Sequence, residues 1–369
     1  MVIDAIFNPE NWTAVPSGFW AAVFFAFGCI VGSFLNVVIH RLPLGQSVVS
    51  PPSHCPHCKY SIPFYLNVPL ITWLWLRGKC ANCRAPIAPR YFIVELCTGL
   101  AFLASWLAFG AQSAPFALAS CVLLAGFIAA TCIDFEHMII PDELTLGGIG
   151  AGLLASFLVP ALHDAPTLTA AIGKSILGAA VGGGIIYAVL RVGKLLFGRQ
   201  KIDLGGTTRI VLGEAAIVLP DQEIPYEELF YRKSDTVLFH ATTAELIDRC
   251  YRDVTVKLSP VKLQVGDDQF QPEQVHHLEA VTRELSLPRE AMGFGDVKFM
   301  AAIGAFLGWQ ATIFSLLASS VIGSAVGIVL IMCGKKEWSS RLPYGPYIAL
   351  AAALWMFGGK ELVAALLAY

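Results

Sequence analysis

The chain has 369 residues, of which 56% are hydrophobic and only 14% charged, with a mean hydropathy of +0.65 and a formal net charge of −2. That is far too apolar for a water-soluble domain and describes a chain that crosses a membrane several times; no nucleic-acid partner is expected, and membrane lipid is. The charges are unevenly placed, because residues 198–290 hold 16 of the 27 acidic and 11 of the 25 basic side chains, which marks a water-soluble insertion of net charge −5.

Residues 18–40 contain no Lys, Arg, Asp or Glu, a run long enough to cross the ~30 Å hydrocarbon core, so residues 1–40 carry the first span. No positive residue precedes this run and no small-residue cleavage site follows it, so it reads as a retained span rather than a removable signal peptide. Residues 41–90 are polar, rich in Pro and Cys, and carry six basic side chains, Arg41, Lys59, Arg77, Lys79, Arg84 and Arg90. That is the composition of a cytoplasmic loop. Apolar runs at 91–109, 115–133, 144–162 and 170–190 make spans two to five of a segment covering 91–197. The insertion, 198–290, predicts a small α+β unit, with strands at Arg209–Val211, Ala216–Leu219, Val237–His240 and Val254–Leu258 and a helix at Glu273–Leu285. From Phe299 to Cys333 come 35 uncharged residues. A hairpin near Gly308-Trp309 divides them into two spans, the first short, and returns Lys335, Lys336 and Arg341 to the cytoplasmic side. A last run at 342–359 completes the closing segment, 291–369, and leaves the C-terminus outside. The expected fold is an all-α polytopic membrane protein of about eight transmembrane helices, with a cytoplasmic cysteine-rich loop and a small soluble α+β insertion.

Asp296 ends the stretch Gly293-Phe294-Gly295-Asp296 and opens an apolar segment, Val297 to Leu307, whose only other charge is Lys298. An ionisable group there is a functional candidate. A second anchor lies 162 residues earlier, at Ile133 to Asp142, where Asp134 ends one apolar run and Asp142 precedes the next. The predicted topology puts all three carboxylates at one membrane face. Two neighbouring carboxyls can share a proton, the neutral one polarising a carbonyl while the ionised one activates water, which is aspartic-protease chemistry. Gly293 and Gly295, having no Cβ, leave room for a substrate backbone to approach. Asp also suits helix N-caps, and that is the role expected for Asp142, whereas Asp134 and Asp296 are the expected catalytic pair.

Cys55 and Cys58 form one Cys-x2-Cys pair, and after 21 intervening residues Cys80 and Cys83 form another. Two such knuckles supply four thiolates for a tetrahedral structural zinc. Disulfides are disfavoured in a cytoplasmic loop, and a redox role is disfavoured because two copies occur without a thioredoxin-like pattern.

Gly293-Phe294-Gly295-Asp296 matches the GxGD signature of intramembrane aspartic proteases. Together with Ile133-Asp134, Ile140-Pro141-Asp142, Gly32-Ser33-Phe34-Leu35-Asn36-Val37-Val38, Arg41-Leu42-Pro43 and Pro343-Tyr344-Gly345-Pro346, it resembles the bacterial type IV prepilin peptidase family across nearly the whole chain. Only the insertion departs from the pattern. The resemblance implies cleavage of the leader of type IV prepilins and pseudopilins of type II secretion, followed by methylation of the new N-terminus with S-adenosylmethionine, at the bacterial inner membrane with the active site facing the cytoplasm. It also implies the four-cysteine loop. No glycine-rich nucleotide loop is present, so the methyl donor is carried by resemblance alone, with Gly32, Ser33 and Asn36 as its expected neighbourhood. Two other classes remain open on the residues themselves: a proton-coupled transporter with Asp134 and Asp296 as relay groups, and a silent membrane scaffold built on the loop and insertion.

Overall fold

The computed structural model describes residues 12, 15–110, 113–197, 199–220, 222–230, 235–275, 277–288, 293–334 and 342–367. Lys335, Lys336 and Arg341, which the predicted topology uses, lie outside the described residues. The chain divides into two units, one of residues 1–187 with 293–369 and one of residues 188–292.

The first unit is helical. Helix α1 (Ser17–Arg41) is followed by the cysteine loop, which carries one short helix, α2 (Ile71–Trp75). Then come α3 (Pro89–Ser105), lengthened by a π-helical turn at Trp106–Gly110, α4 (Ala114–His137), α5 (Asp142–Leu158) and α6 (Leu168–Phe197), whose end enters the second unit. The closing segment holds α7 (Phe294–Met332), α8 (Gly345–Leu354) and α9 (Lys360–Leu367). Among the described residues six helical stretches are long and apolar enough to cross a membrane, against the eight expected from the sequence. Two features account for the difference. The fourth expected span, α5, has 17 residues, about 25 Å at 1.5 Å per residue, which is shorter than a comfortable crossing. The other is α7, a 39-residue helical run broken at Gly308, where φ is 81° and ψ 173°. A Cβ on Gly304 would lie 2.9 Å from Thr312 Cγ2, although eight residues of unbroken helix separate Cα atoms by about 12 Å. The chain therefore folds back on itself at Gly308, as the expected hairpin requires.

Small residues let these helices approach closely. A Cβ at Gly178 of α6 would overlap the Gly304 carbonyl oxygen of α7, and one at Gly304 would overlap the Gly178 carbonyl oxygen. Gly152 of α5 lies on Ala305, and Gly32 of α1 lies on the Glu95 backbone of α3. Large apolar side chains such as Phe27, Ile30, Leu317 and Val321 are exposed, as expected where the surrounding medium is lipid rather than water.

The second unit corrects the α+β expectation. Eight strands form one antiparallel sheet in the order β3-β2-β1-β8-β4-β5-β6-β7. They are β1 (Arg199–Leu212), β2 (Ala216–Val218), β3 (Glu223–Pro225), β4 (Val237–Glu245), β5 (Cys250–Leu258), β6 (Leu263–Val265), β7 (Asp268–Phe270) and β8 (Leu278–Pro288). Ile210, Ile217, Phe239, Val256, Leu278 and Leu285 are buried in its core. Apart from 3-10 turns, a single helical turn, Tyr226–Leu229, is the only helix in the described part of the sheet region. Three of the four expected strands fall within β1, β4 and β5, and the fourth, Ala216–Leu219, covers β2 and runs one residue past it, but the expected helix at Glu273–Leu285 is instead a 3-10 turn at Pro272–Gln274 followed by β8. Leu278, Ala280 and Thr282 are buried in alternation, the period of a strand. Pairing with β1 on one side and β4 on the other overrides the helix preference of the Glu, Ala and Leu residues there.

Candidate active site and metal centre

Helix α4 ends at His137, and Met138 adopts a left-handed conformation (φ 55°) that turns the chain towards α5. Asp134 therefore sits in the last turn of α4 and is only 5% exposed. Its Oδ2 accepts the Gly345 N–H at 2.8 Å, the first amide of α8 and 211 residues away in sequence. A carboxylate at a helix N-terminus is favourably placed with respect to the helix dipole and the unsatisfied amides there. Asp296, in the first turn of α7, is 8% exposed and lies within Coulombic range of Asp134. Its Oδ2 is 3.5 Å from where a Cβ on Gly293 would stand.

Ile140 joins the two aspartate segments. A Cβ on Gly295 would come within 3.1 Å of the Ile140 carbonyl oxygen, and one on Gly345 would lie 3.0 Å from Ile140 Cδ1 and 2.8 Å from Asp134 Oδ2. Gly295 is thus small because its own chain packs against it, a different reason from the substrate access expected of it. Gly293 is less crowded, with nothing nearer than the Asp296 carboxylate. The expected capping role of Asp142 is also corrected. Asp142 is the first residue of α5, no side chain caps that helix, and the Asp142 carboxylate instead pairs with Lys298 Nζ at 2.5 Å. This exposed ion pair ties the start of α5 to the start of α7. Arg90, at the start of α3, pairs with Glu136 at the end of α4. Those contacts put Arg90, Asp134, Asp142, Asp296 and Gly345 at one end of the helical unit. The Gly345 amide is the functional group that residue-by-residue reading missed, and its only signal was the Pro343-to-Pro346 motif.

The four cysteines come together as expected. Sγ atoms of Cys55, Cys58, Cys80 and Cys83 all lie within 4.8 Å of one another, with Cys55 and Cys83 at 3.8 Å. Four thiolates at about 2.3 Å from a tetrahedral zinc would be ~3.8 Å apart, so the donor set fits that ion. The knuckles are near copies. In each, the first cysteine accepts an amide from four residues on (Lys59, Arg84) and donates its own amide to the carbonyl five residues on (Tyr60, Ala85). Lys59 and Arg84 both have positive φ, and flanking bridges pair His54 with Ser61 and Lys79 with Pro86. The Tyr60 amide brings the Cys58 thiol down to about 6, and the Cys83 and Asn82 amides lower Cys80. Despite the Ala85 amide, burial and the neighbouring thiols push Cys83 up to about 11. Cys58 and Cys80, held towards the thiolate, are the two suited in this way to metal.

The residues expected near the methyl donor divide. Ser33 lines a cavity of about 490 Å³ shared with Phe34, Arg41, Pro52, Asn67 and Pro69, within the size range of small-molecule sites. Gly32 is used in packing against α3, and Asn36 donates to the carbonyls of Gly32 and Tyr91. The Asn36 Oδ1 is buried with no partner, an orphaned acceptor of the kind a bound group satisfies.

A bundle of apolar helices with two buried aspartates at one end and a four-cysteine cluster in the loop at that end is a multi-pass membrane protein bearing the groups of an aspartic protease. The family model described as Bacterial Peptidase A24 N-terminal domain matches residues 26–109, and that described as Type IV leader peptidase family matches residues 121–207 and 280–328. The chain belongs to the type IV leader peptidase family. Curated relatives named prepilin leader peptidase/N-methyltransferase include one from Aeromonas hydrophila, 29% identical over 90% of this chain and 89% of its own length. Another, from Stutzerimonas stutzeri, is 27% identical over 93% and 92%, and one from Myxococcus xanthus is 38% identical over about half of each chain. No solved structure matches. The transporter alternative finds no support among these relatives. The family match leaves out residues 208–279, most of the sheet.

Proposed function

We propose that this protein removes the leader peptide from type IV prepilins and pseudopilins and then methylates the new N-terminal amine with S-adenosylmethionine. The observation that carries the peptidase reading is the convergence of Asp134 and Asp296, two buried carboxyls from distant segments, beside the Gly345 amide. In this reading one carboxyl, ionised, takes a proton from water as that water attacks the scissile carbonyl, and the other, neutral, donates to the carbonyl oxygen. Asp134, which already accepts an N–H at a helix N-terminus, is the base, and Asp296 the acid. A prepilin has a basic leader followed by an apolar helix. Its scissile bond, where the two meet, lies at the depth of residues that end one span and begin another.

In this reading the chain sits in the bacterial inner membrane with the aspartates and the cysteine loop towards the cytoplasm, and crosses eight times if α5 and both halves of α7 are counted. Cys55, Cys58, Cys80 and Cys83 hold a structural zinc. Ser33 and Asn36 border the methyl-donor site, which supplies an electrophilic methyl group when occupied. The reading is tested by incubating the purified protein with a prepilin in detergent, with and without S-adenosylmethionine. A shortened product carrying an added methyl group supports it, and an intact precursor overturns it.

A further inference from the structure

Helix α2 (Ile71–Trp75) is too short to be stable alone, yet it is firmly located. Its preceding residue, Leu70, donates its N–H to Glu95 Oε2 of α3 at 2.8 Å. Trp73 packs at a tilt of 35° against Phe92 of α3 with ring centroids 5.1 Å apart, and the left-handed Gly78 closes the turn against the Trp73 ring. The opposite face of α2 has no such partner. Ile71, Leu74 and Trp75, at positions i, i+3 and i+4, share one side and are 64%, 57% and 74% exposed.

The depth of this face follows from α3. Pro89 to Gly110 is 22 residues, about 33 Å of helix, barely more than the ~30 Å hydrocarbon core it has to cross. Phe92 and Glu95 therefore lie at or just inside the boundary between headgroups and acyl chains, and so does the helix they hold. Charge supports the same location, since residues 41–90 carry six basic side chains and no acidic one, with exposed Arg77 and Lys79 immediately after α2. Exposed Trp and aliphatic residues followed by Lys and Arg, at this depth, form an interfacial anchor for an anionic leaflet.

We propose that α2 is such an anchor: Ile71, Leu74 and Trp75 insert among the acyl chains of the leaflet at the aspartate-bearing end, Arg77 and Lys79 meet phospholipid headgroups, and the four-cysteine loop is thereby moored to lipid. The proposal rests on the membrane-spanning reading of the helices. It is tested by placing the photoreactive residue p-benzoylphenylalanine at 71, 74 or 75 in the full chain. Val321, exposed on α7, serves as the reference for a span, and Ile247, exposed in the sheet unit, as the reference for a residue that belongs to no span. After illumination in nanodiscs of phosphatidylcholine and phosphatidylglycerol, mass spectrometry should find lipid adducts at 71, 74 and 75 in yields comparable to position 321 and severalfold above position 247. Adducts at 321 but none above the 247 level in α2 would overturn the anchor alone. Absence at 321 as well would overturn the membrane-spanning reading and the anchor with it. Adducts to an added prepilin, or to a second copy of the chain, in place of lipid would also overturn it. A second measurement addresses the headgroups: residues 64–79 should exchange amide hydrogens severalfold more slowly in discs containing phosphatidylglycerol than in pure phosphatidylcholine. R77E/K79E should abolish that difference while the bound zinc is unchanged, and equal exchange of the wild type in both discs would overturn the headgroup contact.

Discussion

Asp134 has one fixed polar partner, the Gly345 amide, and this makes the first substitutions informative. An Asn at 134 keeps an acceptor for that N–H, so Asp134→Asn should fold normally yet lose leader cleavage, because an amide neither shares nor takes a proton. Asp296→Asn should behave the same way. Asp142→Asn should keep most activity, since the Asp142 carboxylate is spent on Lys298 at an exposed edge, where an ion pair is worth at most about 1 kcal/mol. Gel-shift assays of prepilin cleavage, with thermal melting as the folding control, check all three; full cleavage by either of the first two variants would sink the assignment. Gly345→Ala is a sharper probe. Its Cβ would stand 2.8 Å from Asp134 Oδ2, and a displacement approaching 1 Å at a catalytic group costs roughly a hundredfold in rate. The carboxyls were legible in the sequence because an ionisable side chain beside an apolar run is conspicuous. The Gly345 amide was not, because a backbone donor has no side chain to read and its partner is 211 residues away.

Elements were legible to the extent that their signals are local. The cysteine knuckles each occupy a handful of residues with a fixed hydrogen-bond pattern, so their spacing alone was enough to foresee the cluster. Cys58→Ser together with Cys83→Ser, one change in each knuckle, should release the metal and loosen the loop, because ligation and local folding are coupled. Elemental analysis of protein prepared without chelators should give one zinc per wild-type chain and none for the variant, with faster amide exchange across 54–86; no zinc in the wild type would refute the centre. Strand β8 was misread because its residues favour helix when isolated and its partners, β1 and β4, lie far off in sequence. Span counting also depends on tertiary contacts, since the reversal at Gly308 is held by packing on α6 that hydropathy does not report. Gly304→Ala would push a methyl group into the Gly178 carbonyl. Overpacking of this kind costs about 1–3 kcal/mol or more, so the variant should melt measurably below the wild type in detergent, and an unchanged melting temperature would show that the α6–α7 contact tolerates separation.

At the scale of the whole molecule, neither the shift from apolar to charged composition nor the resemblance indicated a sheet of eight strands. That sheet has a consequence for engineering. Strands β1 and β8, first and last in the unit, pair side by side, with Gln200 opposite Leu287 and Lys201 opposite Ser286. Opposed residues in an antiparallel ladder are ~5 Å apart at their Cα atoms, so the chain leaves and re-enters the unit at nearly the same point. Replacing residues 203–286 with a short Gly/Ser linker therefore closes a small gap at modest entropic cost. The segment removed contains neither Asp134 nor Asp296 and none of the four clustered cysteines; its single cysteine is Cys250. The shortened protein should bind its zinc, melt as a folded species in detergent and cleave a short prepilin peptide at close to the wild-type rate. Cleavage of a full-length prepilin should fall further if the sheet tunes access for long substrates. A shortened protein that folds and holds zinc yet fails on the short peptide would mean that the sheet supplies part of the catalytic site, and the two-carboxyl account would then be incomplete.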